Sequence, residues 1–267
     1  MQPLRALFLF AAFLLAAAPA RAEITLTPLR QVITEKAPVA TYRVSNPSRR
    51  IVDGRVSWID LTATETGYKE ASPEAREAIS AAPYLTVSPA SFRLEPGAST
   101  TITVTLRADS LPKSGERRSH LLIQTEAART PIRKTGGSLE VDIGLGVSTP
   151  VILRLGDGKA QAKIGDTKLL RTPEGQLELE THVEPQGNYS AYGAIEVYLT
   201  PDGKKTPELL KTVENVAAYL DAQDREVTVP LDVRHLPGGM LEVRYAGRSE
   251  FEGRTFANRT FELAPPQ

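Results

Sequence analysis

Residues 84–106 read YLTVSPASFRLEPGASTTITVTL, and their pattern sets the fold. Glu95-Pro96-Gly97 is a tight turn, in which proline restricts φ and glycine takes backbone angles that side chains disfavour. The turn feeds Ser99–Leu106, where Ile102, Val104 and Leu106 alternate with threonines in the period-two pattern of a half-buried strand. On its other side Phe92 and Leu94 lie two apart and share a face, expected to be the core, which leaves Arg93 facing out.

The same alternation recurs along the chain. Turn signals at Asn46-Pro47-Ser48, Asp53-Gly54, Gly136-Gly137, Asp157-Gly158, Pro201-Asp202-Gly203 and Pro237-Gly238-Gly239 separate short runs rich in Val, Ile, Thr, Leu and Tyr. These runs include 24–33, 39–46, 55–61, 100–106, 176–183, 194–200, 225–231, 241–245 and 255–263. Strands at this spacing predict an all-β protein of antiparallel sandwiches. Trp58 and Tyr42 have the spacing of core residues. Ser72-Pro73, with Ser as N-cap and Pro at the first helical position, predicts a two-turn helix. Residues 208–218 fit helix or strand. A boundary near Leu155-Gly156-Asp157-Gly158-Lys159 predicts two Ig-like domains, 23–155 and 156–267.

Composition narrows the chemistry. The 267 residues are 41% hydrophobic and 24% charged, with Lys+Arg and Asp+Glu equal at 32. No basic excess points to nucleic acid. The absence of cysteine excludes disulfides, thiol catalysis and cysteine-bound metals, and three histidines leave little for acid–base or metal work. His120, on a predicted strand, reads as an ordinary strand residue. Gly156-Asp157-Gly158-Lys159 lacks phosphate-loop spacing and reads as a hairpin turn. There is no G-x-S-x-G elbow, and the carboxylates are scattered. The expectation is a binding protein without catalytic residues, cofactor or metal.

The start of the chain carries an address. Arg5 precedes an apolar run over 6–18, and Ala20-Arg21-Ala22 is a small-x-small cleavage site, the signature of a secretory signal peptide cut after Ala22. That run spans roughly 20 Å as a helix, short of the ~30 Å hydrocarbon core, so no membrane anchor is expected.

Residues 138–154 hold the most informative strand. Leu139, Val141, Ile143, Leu145, Val147, Val151 and Leu153 occupy odd positions, interrupted only by Thr149. Either this face packs into a core, or part of it is a ridge on which an incoming strand docks. Pro150 donates no ladder hydrogen bond, so the strand lies at an edge or bends there.

The element Pro89-Ala90-Ser91-Phe92-Arg93-Leu94-Glu95-Pro96-Gly97, followed by Leu111-Pro112 and Arg117-Arg118-Ser119, resembles the amino-terminal domain of PapD-like periplasmic pilus chaperones. Ile24-Thr25-Leu26-Thr27-Pro28-Leu29-Arg30 is similar to that family's first strand, and Asn46-Pro47-Ser48 to its N-P-S/T turn. The resemblance covers about residues 24–155; the second half shows only a β-rich domain of suitable size.

The resemblance implies two Ig-like domains in an L-shaped arrangement in the periplasm. It further implies a chaperone that lends a strand to a pilin-type or other surface subunit, before assembly at an outer-membrane usher. On the best-matching register the donor ridge is Val141, Ile143 and Leu145, extended by Leu139 and Val147. Each such residue buried in a groove contributes on the order of 1.5–3 kcal/mol. The resemblance also makes Arg30 one of two basic residues that bind the subunit's terminal carboxylate. The second position falls on Pro150, and Arg154 lies four residues on, ~13 Å by strand rise, which reads as too far to replace it. One alternative stands beside the chaperone, a structural or adhesive Ig-like exported protein without donor-strand activity; an exposed ridge also leaves open a self-capping dimer.

Overall fold

The computed structural model describes residues 24–107, 111–125 and 146–263. The signal-peptide residues 1–22 and four of the five ridge residues, Leu139, Val141, Ile143 and Leu145, lie outside them. The described chain forms two β-sandwiches with separate apolar cores, the Ig-like two-domain architecture expected.

The first sandwich packs a four-stranded sheet on a five-stranded one. In order across the first sheet are β1 (Thr25–Thr27), β3 (Val39–Ser45), β9 (Ser99–Leu106) and β7 (Leu85–Ser88). The second holds β2 (Gln31–Thr34), β11 (Gly146–Leu155), β10 (Gly115–Thr125), β4 (Val52–Ile59) and β8 (Ser91–Leu94). All these pairings are antiparallel except β2 with β11. Between β4 and β7 come a hairpin, β5 (Leu61–Ala63) and β6 (Tyr68–Glu70), and the helix α1 (Pro73–Ile79). In α1 the Ser72 hydroxyl accepts from the Ala75 amide at 3.2 Å, as its capping position requires.

The first run does not form one strand. Its residues divide into β1 and β2, which belong to opposite sheets, because Pro28 donates no ladder hydrogen bond and the chain crosses over at Pro28-Leu29-Arg30. Arg30 therefore stands at the corner where the strand changes sheets.

The two turns that carried the resemblance are tied to each other. Asn46 is fully buried; its side-chain amide donates to the carbonyls of Leu94 (3.0 Å), Glu95 (3.2 Å) and Arg50 (2.7 Å). Backbone bonds Asn46 N to Ala98 O and Gly97 N to Asn46 O complete the junction, and Gly97 has φ +76°. Leu94 enters the core and Phe92 packs half-buried against it, over Gly54, where an added Cβ would meet the Phe92 ring at 2.3 Å. Arg93 faces outward toward Asp53 at 3.2 Å. Tyr42 is fully buried in the same core, with Trp58 packed at its margin.

The second sandwich packs β12 (Ala162–Arg171), β13 (Leu177–Pro185) and β16 (Arg225–Pro230) on β15 (Glu208–Ala218), β14 (Ala191–Pro201), β17 (Gly239–Gly247) and β18 (Thr255–Leu263). Residues 208–218 thus resolve as an edge strand. Gly156-Asp157-Gly158-Lys159 is a connection between the sandwiches rather than a hairpin turn, since β11 and β12 belong to different sheets. The Tyr189 hydroxyl closes it, donating to the Leu155 and Gly156 carbonyls at 3.1 and 2.7 Å.

Candidate functional site: the interdomain cleft and the β11 edge

β11 is buried on both faces from Val151 to Leu155. Val151, Leu153 and Leu155 point into the first core, whereas Ile152 joins Ala63 and Tyr219 in a small cluster between the sandwiches. Burial on both sides fixes this half of the strand firmly. Its other half differs. β10 pairs along all of Gly146–Leu155, but β2 joins the opposite side only from Val151 to Arg154. Among the described residues the outer side of 146–150 is therefore an open edge, and Pro150 sits on it, where a missing donor is tolerated. Val147, the one ridge residue described, is half-buried and packs against the first core.

Three arginines line the junction with the second sandwich. Arg118, on β10, makes a two-point ion pair with Asp221 (Nη1–Oδ1 3.0 Å, Nη2–Oδ2 2.8 Å), stacks 3.8 Å from the centre of the Tyr219 ring and donates to the Leu61 carbonyl. Asp221 also accepts from the Ala63 amide at 2.8 Å, so one carboxylate gathers both sandwiches. The alternation of β10 explains the Arg118-Ser119 pair. Arg118 turns to the junction, while Ser119 turns inward to donate to Asp60 at 2.5 Å and to accept the Ala81 and Ala82 amides at 2.9 Å.

Arg154 and Arg30 share the second junction. Arg154 donates from Nε to Glu116 (2.8 Å), from Nη1 to Glu250 Oε1 (2.9 Å) and from Nη2 to the Ser190 carbonyl (2.9 Å). The Ser190 amide and hydroxyl both donate back to Glu116. Arg30 makes two parallel bonds to the same Glu250, Nη1 to Oε2 and Nη2 to Oε1, each 2.8 Å, with its guanidinium 4.4 Å from the centre of the Tyr192 ring. By strand rise Arg154 is expected too far from position 150 to replace a basic residue there, yet its side chain reaches the same carboxylate that Arg30 binds. Strand rise measures Cα spacing, whereas two long side chains converge from either side on one carboxylate.

Two guanidiniums around one carboxylate, with aromatic rings beside them, make a carboxylate-binding site, and Glu250 fills it. Burial is the largest single influence on Glu250 and pushes its carboxyl up. The hydrogen bonds and charge of Arg30, a bond from its own backbone and the charge of Arg154 outweigh it, so the carboxyl is held below its usual range. Glu250 lies on a 3-10 turn opened by Ser249 at φ +57°. Nothing in the sequence marks Glu250, Asp221, Glu116 or Ser190 as partners of these arginines.

Facing the same cleft, His120 stands across from Pro150 on β10. It is 2% exposed, neither ring nitrogen has a partner among the described residues, and the Tyr68 ring meets it edge-on at 5.1 Å.

No protein-family model and no curated protein matches the chain. Solved structures do. The likeness is to pilus and fimbrial chaperones, across about nine-tenths of the chain. The SafB chaperone, solved in complex with the SafA pilin of Salmonella enterica, is 18% identical, with 92% of this chain and 99% of that one covered and a TM-score of 0.44. The Pseudomonas aeruginosa CupB2 chaperone is 16% identical over 91% of this chain and 100% of its own, with a TM-score of 0.42. The class 5 fimbriae chaperone CfaA is 13% identical over 91% and 100%, with a TM-score of 0.45.

Proposed function

We propose that the protein is an exported, periplasmic chaperone. It binds a pilin-type or other surface-structure subunit by β-strand addition and delivers it to an outer-membrane usher. The observation that carries this reading is the open side of β11 at 146–150 among the described residues, which the ridge residues Leu139, Val141, Ile143 and Leu145 precede in sequence. A strand that adds there gains main-chain hydrogen bonds, and the alternating apolar residues of the ridge fill the groove the subunit leaves open. Arg30, with Arg154 beside it, is the place for the subunit's terminal carboxylate. Glu250 holds that place in the free protein and leaves it when the subunit binds.

One observation favours a second reading, a structural or adhesive Ig-like protein. Both Nη groups of Arg30 are already bound by Glu250, which ties the sandwiches together without any client.

The test is to isolate the tagged mature protein from its native periplasm and identify what co-purifies. A stoichiometric small β-rich subunit, lost with Ile143→Asp while the variant stays folded, supports strand donation. Partner binding that survives Ile143→Asp unchanged defeats it. A clean monomer or self-dimer, under conditions where pilins are expressed, favours the structural protein.

A further inference from the structure

At the far side of the domain junction the β5–β6 connection touches the outer face of the second sandwich. Its tip residue Glu65 is held there by the main chain, because the Glu226 amide donates to the Glu65 carbonyl at 2.9 Å. His182 on β13 and Glu226 on β16 are directly opposed in the antiparallel ladder, so their side chains emerge on one face. Asp224 precedes β16 by one residue. These elements bring one imidazole and three carboxylates together from two domains.

The spacing is that of a ligand set. His182 Nδ1 is 3.0 Å from Asp224 Oδ2 and 3.4 Å from Glu65 Oε1. Donor atoms of Glu65, His182 and Glu226 all lie within 4.8 Å of one another. Two donors bound ~2.0–2.1 Å from one tetrahedral zinc stand roughly 3.3 Å apart, between the two histidine distances seen. Charge points the same way. Among the described residues, Glu65, Asp224 and Glu226 form no ion pair with Lys or Arg, and the only basic side chain paired with Glu65 or Asp224 is His182. Neighbouring cations are engaged elsewhere: Lys163 with Glu184, Arg259 with the Gly165 carbonyl, and Arg225 with the Glu65 carbonyl.

We propose that His182, Asp224, Glu65 and Glu226 form a site for a divalent transition metal of the zinc class. One imidazole nitrogen with carboxylate oxygens suits zinc better than calcium or magnesium, which prefer all-oxygen sets. The metal takes the place of the hydrogen bond between Nδ1 and Asp224. Because Glu65 belongs to the first sandwich and the other three to the second, the ion ties the sandwiches at a point remote from Glu250.

The test is calorimetric titration of untagged, chelator-stripped mature protein with zinc chloride, comparing the parent with His182→Ala, Glu65→Ala and the control His235→Ala. The expected result is one equivalent bound by the parent and by His235→Ala, affinity reduced at least tenfold in Glu65→Ala, and binding lost in His182→Ala. Zinc should also raise the Tm of the parent, reversibly with EDTA, and raise that of Glu65→Ala less. Absence of stoichiometric binding by the parent, or equal binding by His182→Ala, overturns the proposal. Should His182→Ala not fold, Glu65→Ala decides, since Glu65 is exposed and its loss leaves both cores intact; unchanged affinity there overturns the proposal.

Discussion

Arg30 and Glu250, 220 positions apart in sequence, face each other through two parallel 2.8 Å hydrogen bonds across the junction of the sandwiches. The pair is asymmetric: the Arg30 side chain is 7% exposed, Glu250 29%. The arginine is fixed at the crossover between β1 and β2, whereas the glutamate sits at the margin on a short turn. Any carboxylate that reaches Arg30 must first move Glu250.

The depressed carboxyl of Glu250 makes a pH prediction with a defined sign. A carboxyl whose folded pKa lies below its unfolded value adds stability above the unfolded value, and that stability is lost as pH falls through the folded one. Glu250→Gln should cost about 1–2 kcal/mol at pH 7. The gap from the parent should close below about pH 4.3, the ordinary glutamate value. Urea unfolding of both proteins between pH 7 and pH 3 reads this directly; a gap that persists unchanged at pH 3 contradicts it.

His120 predicts a separate, higher window. Burial, and after it the positive charge of Arg118, lowers its pKa from 6.5 to about 4. The unfolded chain takes up this proton first, so the histidine costs stability progressively as pH falls from 6.5 toward 4, by about 3 kcal/mol in total. His120→Leu removes two unpartnered buried nitrogens and should be neutral or stabilising at pH 7. Its advantage over the parent should grow through that window, as measured by urea midpoints at pH 7, 5.5 and 4.5.

Asp221 is a heavier domain tie than Glu250. Asp221→Ala leaves the Arg118 guanidinium buried without its counter-charge and the Ala63 amide without its acceptor, which should cost about 3–5 kcal/mol. Asp221→Asn keeps an acceptor for the amide and should recover part of the loss. Chemical denaturation of the three proteins tests the order parent, Asn, Ala.

Asn46 is the corresponding lock inside the first sandwich. Asn46→Ala strips the Leu94, Glu95 and Arg50 carbonyls of their shared donor in a buried site and should cost about 2–4 kcal/mol. Hydrogen exchange should show faster opening at Gly97 and Ala98, whose junction with Asn46 loosens, and little change in β13 or β17.

Local chemistry was open to a reading of the sequence. The Glu95-Pro96-Gly97 turn, the alternation of Ser99–Leu106 and the Ser72 cap of α1 depend on residues within a few positions of each other, and the structure has all three; Pro150, read as marking an edge or a bend, stands among the described residues at an edge. Residues 208–218 stayed ambiguous for a physical reason. β15 is an edge strand whose pairing with β14 shifts register twice, with Asn215 at φ +63°, so its burial does not alternate cleanly.

The junction was beyond such a reading. Arg30, Arg118 and Arg154 look alike in sequence as charged residues on or beside strands, and their partners Glu250, Asp221 and Glu116 carry no spacing that marks them. Strand rise even argued against Arg154 standing in for a basic residue at position 150. Periodicity and turn residues act through the backbone over a few bonds, and so they determined two β-sandwiches. Which carboxylate meets which guanidinium depends on how two finished sandwiches dock, and only the tertiary structure decided it.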